Sequence, residues 1–279
     1  MTFTPDLDAY CRRLGIECPR APTFDGLGRL LTAHVQSIPF ENLDVLLGRG
    51  IDLAPEAIER KLVFARRGGY CFEQNTHLLH VLRALGYDAA PLSARVRLQR
   101  PREFVPARTH MAVMVQLDGR RWLCDVGVGG YSPSTPLDLD LDGAQATRHE
   151  PRRIVREGEW GPGDRRTPAA RAFQQMLIAG EWQDVYEFTL EAMPEIDREV
   201  ANWFTSTHPR SHFRELLMVA RATTHGRLTL RNREFTERDG DRATTRVLAD
   251  PDELLAVLAT RFDLHFPAGT RFPCPGLAW

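Results

Sequence analysis

One cysteine in this 279-residue chain stands where its chemistry would be activated. In Arg67-Gly68-Gly69-Tyr70-Cys71-Phe72-Glu73-Gln74-Asn75 it follows a glycine pair and opens a run in which Phe72, Leu78, Leu79, Val81, Leu82 and Leu85 recur at helical spacing. Cys71 is therefore expected at a helix N-terminus. There, unpaired backbone N–H groups and the positive end of the helix dipole favour a thiolate, the nucleophilic form of the side chain. Gly68 and Gly69 offer backbone angles that a Cβ resists, and room for another backbone or a substrate beside the sulfur. The alternative is an inert core cysteine, and a partner base decides between the two.

That base is available downstream. Thr109-His110-Met111-Ala112-Val113-Met114-Val115-Gln116-Leu117 and Arg120-Arg121-Trp122-Leu123-Cys124-Asp125-Val126-Gly127 are β-rich runs on either side of Asp118-Gly119, a hairpin signature. With those two as loop residues, Leu117 faces Arg120, His110 faces Gly127 and Ala112 faces Asp125. His110 and Asp125 then share a face as diagonal neighbours, with backbones about 7–8 Å apart and side chains within reach of each other. A slip of one residue would separate them. The spacing thus predicts a triad: Cys71 as nucleophile, His110 as base and Asp125 orienting the ring. A strand histidine that is merely packed, or an Asp-Val-Gly that is merely a turn, remains the alternative for each partner.

Four ordered motifs resemble the arylamine N-acetyltransferases: Ile38-Pro39-Phe40-Glu41-Asn42-Leu43, the stretch around Cys71, Thr109-His110-Met111, and Asp125-Val126-Gly127-Val128-Gly129-Gly130-Tyr131-Ser132-Pro133. Weaker similarity continues through Asn202-Trp203-Phe204-Thr205-Ser206-Thr207-His208-Pro209. The resemblance implies an α+β fold with an N-terminal helical bundle, a central antiparallel β-barrel and a C-terminal α/β lid, built around a cysteine-protease-like triad core. It carries the triad onto Cys71, His110 and Asp125. It also implies an ion pair between Glu41 and Arg67 bracing the cysteine loop, coenzyme A contacts at Gly127, Gly129, Gly130, Thr205 and Thr207, and a substrate pocket at Phe40, Tyr70, Val128 and Phe204. Val128 departs from the family, which commonly has phenylalanine there.

Composition sets the outer bounds. A hydrophobic content of 43% is enough for two or three packed units, and a net charge of −1 argues against nucleic acid or an anionic membrane as partner. Lys61 is the only lysine. The N-terminal residues have neither a basic n-region nor an apolar h-region, and no apolar run spans a bilayer, so a cytoplasmic protein is expected. Five scattered cysteines suggest neither a disulfide framework nor a zinc ribbon. His34, His77 and His80 lack a completing carboxylate or thiol, and no metal site is expected.

Residues 4–86 read as helical: Thr4-Pro5 caps a segment to Leu14, Thr23 starts another through Val35, Pro39 interrupts it, and Pro55 opens a third to Ala65. From Tyr87 to Phe188 short strands alternate with turns, including Ala94 to Leu98, Arg152 to Val155 and Val185 to Phe188, with an exposed loop at 158–166. Pro194 then starts a helix through Ile196, Val200 and Trp203. A hairpin around Asp239-Gly240 and a helix capped by Asp250 and Pro251 complete a mixed α/β part. The expected units are 1–88, 89–192 and 193–279.

The expected reaction is ping-pong acyl transfer through an acyl-cysteine. Acetyl-coenzyme A is the co-substrate, the acceptor is an arylamine, arylhydrazine or arylhydroxylamine, and no cofactor is tightly held. An amide synthase closing a macrolactam from a carrier-bound chain is the alternative, and a cysteine hydrolase a more distant one. Oligomeric state is open between monomer and homodimer.

Overall fold

The structure is a computed structural model that describes residues 3–98, 100–158, 171–277 and 279. Its first part is helical: α1 (Leu7–Leu14), α2 (Phe24–Ser37), the single turn α3 (Leu43–Leu46), α4 (Pro55–Glu59) running into a π-helical turn over Arg60–Phe64, and α5 (Cys71–Ala84). Thr23 caps α2 through the Gly26 N–H, and Pro55 occupies the first turn of α4, where its missing N–H costs nothing. The cap of α1 is Asp6 rather than Thr4-Pro5; its carboxylate accepts from the Ala9 N–H at 2.8 Å. A second difference lies after Pro39. There Phe40–Glu41 forms a short strand, β1, inside a stretch expected to be helical.

Strands β2 (Asp88–Val96), β3 (His110–Leu117), β4 (Arg120–Cys124), β5 (Leu137–Asp138), β6 (Arg152–Glu157), β7 (Arg171–Ile178) and β8 (Glu181–Ala192) make one antiparallel sheet in the order β5-β4-β3-β2-β8-β7-β6. The sheet curls into a nearly closed barrel, and Gln145 bridges its edges. The Gln145 backbone exchanges two hydrogen bonds with Arg152 on β6, while its side-chain amide exchanges two with the Asp138 backbone on β5. In the β3–β4 hairpin Leu117 faces Arg120 and Val113 faces Cys124, the register expected from the sequence. Asp118 (φ 52°) and Gly119 (φ 74°) are both left-handed, as a two-residue turn matching strand twist requires. Of the loop expected at 158–166, residues 159–166 lie outside the described residues.

The last part comprises α6 (Glu195–Thr207), β9 (Met218–Ala222), β10 (Gly226–Arg231), β11 (Glu234–Asp239), β12 (Arg242–Val247) and α7 (Pro251–Phe262). The turn of the β11–β12 hairpin is Gly240-Asp241, one residue beyond the expected pair, because Asp239 faces Arg242. Its sheet takes in β1, in the order β1-β9-β10-β11-β12, so the strand that bridges to Gly69 of the nucleophile loop is a sheet edge paired to Val219 and Ala220. Leu43 and Leu46 of α3 likewise pack in one cluster with Leu217, Leu258 and Phe262. At about 1.5–3 kcal/mol per buried leucine, this welds the N-terminal segment to the C-terminal layer. In α6 the rhythmic apolar residues face outward: Ile196, Val200 and Trp203 are each about 60% exposed, whereas Ala201, Asn202, Thr205 and Ser206 are buried.

Candidate active site

Cys71 is the first residue of α5, which starts where the sequence predicts. Glu73 caps the helix, its Oε2 accepting from the Tyr70 N–H at 3.0 Å. Neither Gly68 nor Gly69 is left-handed, so room rather than backbone angle explains the pair. A Cβ on Gly68 would lie 2.2 Å from the Pro39 carbonyl oxygen, and one on Gly69 would lie 2.8 Å from the Glu73 carboxylate. The space is filled by the protein itself.

Behind this loop runs a chain of alternating charges. Lys61 Nζ bridges Glu73 (2.6 Å) and Asp44 (2.8 Å), and Arg67 bridges Asp44 (3.1 Å) and Glu41 (2.6 Å). Glu41 Oε2 in turn accepts from the Leu43 N–H. The Glu41–Arg67 pair implied by the resemblance is thus one link of a larger network. The sole lysine is the compact cation that neutralises the carboxylate capping the nucleophile helix. Burial raises the Glu73 carboxyl above its usual range, opposed by Lys61.

The Cys71 Sγ sits 3.5 Å from the Thr109 carbonyl oxygen, one residue before His110. His110 opens β3, and Asp125 directly follows the last residue of β4, so the hairpin register delivers both to one seam. His110 Nε2 is 2.7 Å from Asp125 Oδ2, which leaves Nδ1 as the ring nitrogen for Cys71. Both side chains are buried. Burial opposes charge on the ring, but the Asp125 carboxylate, its hydrogen bond and Cys71 outweigh it and raise His110 to about 10. Burial works against the Asp125 carboxylate too, yet His110, Asn75 and the Gly127 N–H hold it below its usual range.

Two further residues have no role in the sequence argument. Asn75, four residues after Cys71 and hence on the same helix face, donates to Asp125 Oδ1 (2.8 Å) and the Met111 carbonyl, and accepts from the Val126 N–H. That spacing was the available signal. Tyr186 on β8 sets its ring 5.0 Å from that of His110, and burial followed by the Asp125 charge raises its hydroxyl well above the usual value. Nothing local in the sequence marks it.

The glycine loop after Asp125 is packed rather than slack. A Cβ on Gly127 would lie 2.7 Å from Cys71 Cα and from the Asn75 amide nitrogen. Gly129, left-handed at φ 64°, abuts the Phe40 ring, and Gly130 abuts Thr229. Buried Arg152 pins the end of the loop, donating to the Tyr131 carbonyl at 2.7 Å. Val128 is buried in the barrel core, against which Tyr131 packs. Phe40 lies edge-on to Phe213. Tyr70 is buried, with its hydroxyl on Asn202, and Phe204 stacks on His208. On α6, Thr205 is buried with its hydroxyl on the Ala201 carbonyl, while exposed Thr207 bonds the Trp203 carbonyl.

Residues 23–270 match the N-acetyltransferase family. An arylamine N-acetyltransferase of Mycolicibacterium smegmatis is 42% identical over 93% of this chain and 92% of that one. The chain belongs to the arylamine N-acetyltransferase family. A Salmonella typhimurium relative, named both arylamine N-acetyltransferase and N-hydroxyarylamine O-acetyltransferase, is 38% identical over 94% of this chain and 90% of its own. The structure of the Mycobacterium marinum arylamine N-acetyltransferase in complex with CoA superposes with a TM-score of 0.85 at 36% identity, covering 93% of each chain. The α+β architecture is that of this family.

Proposed function

We propose that the chain transfers an acetyl group from acetyl-coenzyme A to arylamines, arylhydrazines or arylhydroxylamines through an acyl-cysteine on Cys71. The observation that carries this reading is the buried His110, held charged by Asp125 on one nitrogen and facing the Cys71 sulfur with the other. Nδ1 of the charged ring holds the proton that Cys71 has given up, so a thiolate stands beside an imidazolium. The thiolate attacks the thioester carbonyl, and the tetrahedral oxyanion collapses by expelling coenzyme A, whose sulfur takes the proton from His110. A thioester replaces a thioester, so the step is near thermoneutral. The amine then attacks the acyl-cysteine, His110 accepts its proton, and Cys71 leaves as thiolate. The Cys71 N–H, at the open end of α5, is a donor for the oxyanion in both steps.

Gly127, Gly129, Gly130, Thr205 and Thr207 remain proposed contacts for the donor, and Phe40, Tyr70, Val128 and Phe204 for the substrates. The division into 1–88, 89–192 and 193–279 belongs to the same reading, with β1 and α3 as segments of the first unit that pack on the third. So do a cytoplasmic location and a role in xenobiotic metabolism, which rest on the family alone.

Intact-protein mass spectrometry after mixing with acetyl-coenzyme A tests the proposal. One acetyl group is expected on wild type, mapped to Cys71, absent from Cys71→Ala and discharged by an added arylamine. Acetate release with no transfer to amine would indicate a hydrolase instead.

A further inference from the structure

A cavity of about 360 Å³, lined by none of the triad residues, opens where the end of α1, the end of α2, Arg66 ahead of the nucleophile loop, β9 and the residue after α7 come together. Four guanidinium groups, those of Arg12, Arg13, Arg66 and Arg221, line it together with a single carboxylate, Asp263. That carboxylate is already committed to Arg66 at 2.8 Å, and it lies 3.8 Å from Arg13. The Arg13 side chain is only 3% exposed, and its other nitrogens reach the Leu62 and Arg66 carbonyls at a long 3.3 Å. Arg221 spends one nitrogen on the Arg261 carbonyl, while its buried Nε has no hydrogen-bond partner among the described residues.

A protein interior tolerates a buried cation when opposite charge and hydrogen-bond acceptors meet it, and here both fall short. Burial, together with the charge of Arg66, lowers the Arg13 guanidinium to about 10, and burial lowers that of Arg221 as well. What the cavity lacks is a compact anion with several acceptor oxygens. Planar guanidinium forks match phosphate oxygens in geometry as well as charge. We propose that this cavity binds a phosphate-bearing anion, either free phosphate or diphosphate or the phosphate of a larger molecule, held by Arg13, Arg66 and Arg221.

The site bears on the active site through sequence adjacency. Arg66 precedes Arg67, which braces Glu41 and Asp44, and the glycine pair and Cys71 follow. An anion held jointly by Arg13, Arg66 and Arg221 clamps the start of the nucleophile loop to α1 and to β9.

Isothermal titration calorimetry with pyrophosphate at fixed ionic strength tests the inference on the full chain. Wild type is expected to show one saturable site. Arg221→Gln and Arg66→Gln are expected to weaken it at least tenfold, and Arg242→Gln, on the remote β12, to leave it unchanged. Arg66 is exposed, so if Arg221→Gln fails to fold the Arg66→Gln variant decides alone. Repeating the titration with coenzyme A present separates the sources of the phosphate: additive heats mean a free anion and competition means a phosphate carried by the donor, and both uphold the site. No saturable binding to wild type, or affinity unchanged in the folded Arg66→Gln and Arg221→Gln variants, overturns it.

Discussion

Two histidine environments in this molecule are equally buried and electrostatically opposite. His34 and His77, on α2 and α5, are 0% and 1% exposed, and His110 on β3 is 1% exposed. Burial lowers His34 and His77 to about 3. His34 is neutral with both nitrogens occupied. Gln74 donates its amide hydrogens to the Pro39 and Gly69 carbonyls, so its oxygen accepts from His34 Nε2 and leaves Nδ1 to accept from the Tyr10 hydroxyl. Among the described residues His77 meets the edge of the Tyr10 ring at 5.1 Å and has no hydrogen-bond partner for either nitrogen. Burial opposes charge on His110 as well, yet it is raised to about 10 because the Asp125 carboxylate faces one nitrogen and the Cys71 sulfur the other. Desolvation is therefore common to all three, and an opposed charge sets the direction. Of these buried imidazoles, the one paired with a carboxylate is the candidate base.

Removing the charge is the strongest way to break the contrast. Asp125→Asn keeps the shape of the side chain and lets it accept from the Gly127 N–H, but His110 loses its anion. We expect kcat/KM to fall about 10³–10⁴-fold, with a much smaller change in melting temperature. Steady-state kinetics beside thermal unfolding of the same variant checks this, and full activity would remove Asp125 from the mechanism.

The neutral pair predicts a pH effect of opposite sign. A ring that titrates at about 3 in the fold and at about 6.5 in the unfolded chain contributes stability that is present above about 6.5 and lost as pH falls towards 3. The loss is about 1.4 kcal/mol per pH unit for each ring. His77→Leu removes one ring without breaking a hydrogen bond, so urea unfolding between about pH 6 and 4 should show a slope shallower by about that amount. An unchanged slope would mean that His77 is not held neutral. His110 runs the other way: its contribution is present below about 6.5 and lost as pH rises through about 10.

The smallest effect concerns the neighbourhood of the charged site. Val128 stands where the family resemblance implies a phenylalanine, so propionyl-coenzyme A should be used nearly as well as acetyl-coenzyme A. Val128→Phe should shift the ratio of kcat/KM values towards acetyl by about five- to tenfold, the low end of the range of about 1–3 kcal/mol for a methylene in such a pocket. Tyr131, which packs against the same cluster, is the side chain that would absorb the change and leave the ratio unmoved.

Much of the seam was legible because it rests on local rules. Helical spacing after Cys71 placed α5, and the Asp118-Gly119 turn fixed the register that brings His110 to Asp125. What escaped depends on contacts distant in sequence. Strand β1 forms because β9 pairs with it, and no periodicity over two residues signals that. Tyr186 reaches His110 only through the order β3-β2-β8. Strand β7, which pairs with β8 through a turn at Ala179 and Gly180, carries no clear local signal either; its Gln174-Gln175 pair interrupts simple alternation, and both side chains are buried. In α6 the apolar rhythm was real but faces solvent, because the buried side is specified by small and polar residues: Asn202 holds the Tyr70 hydroxyl and the Ile51 carbonyl.

The charge state of His110 is the centre of this account and can be measured directly. An NMR titration of the histidine side chains, with His110 assigned by its loss in His110→Gln, should show that ring protonated through neutral pH and titrating near 10, and in Asp125→Asn falling below the ordinary value to join His34 and His77. A wild-type His110 that titrates at or below about 6.5 would contradict the account.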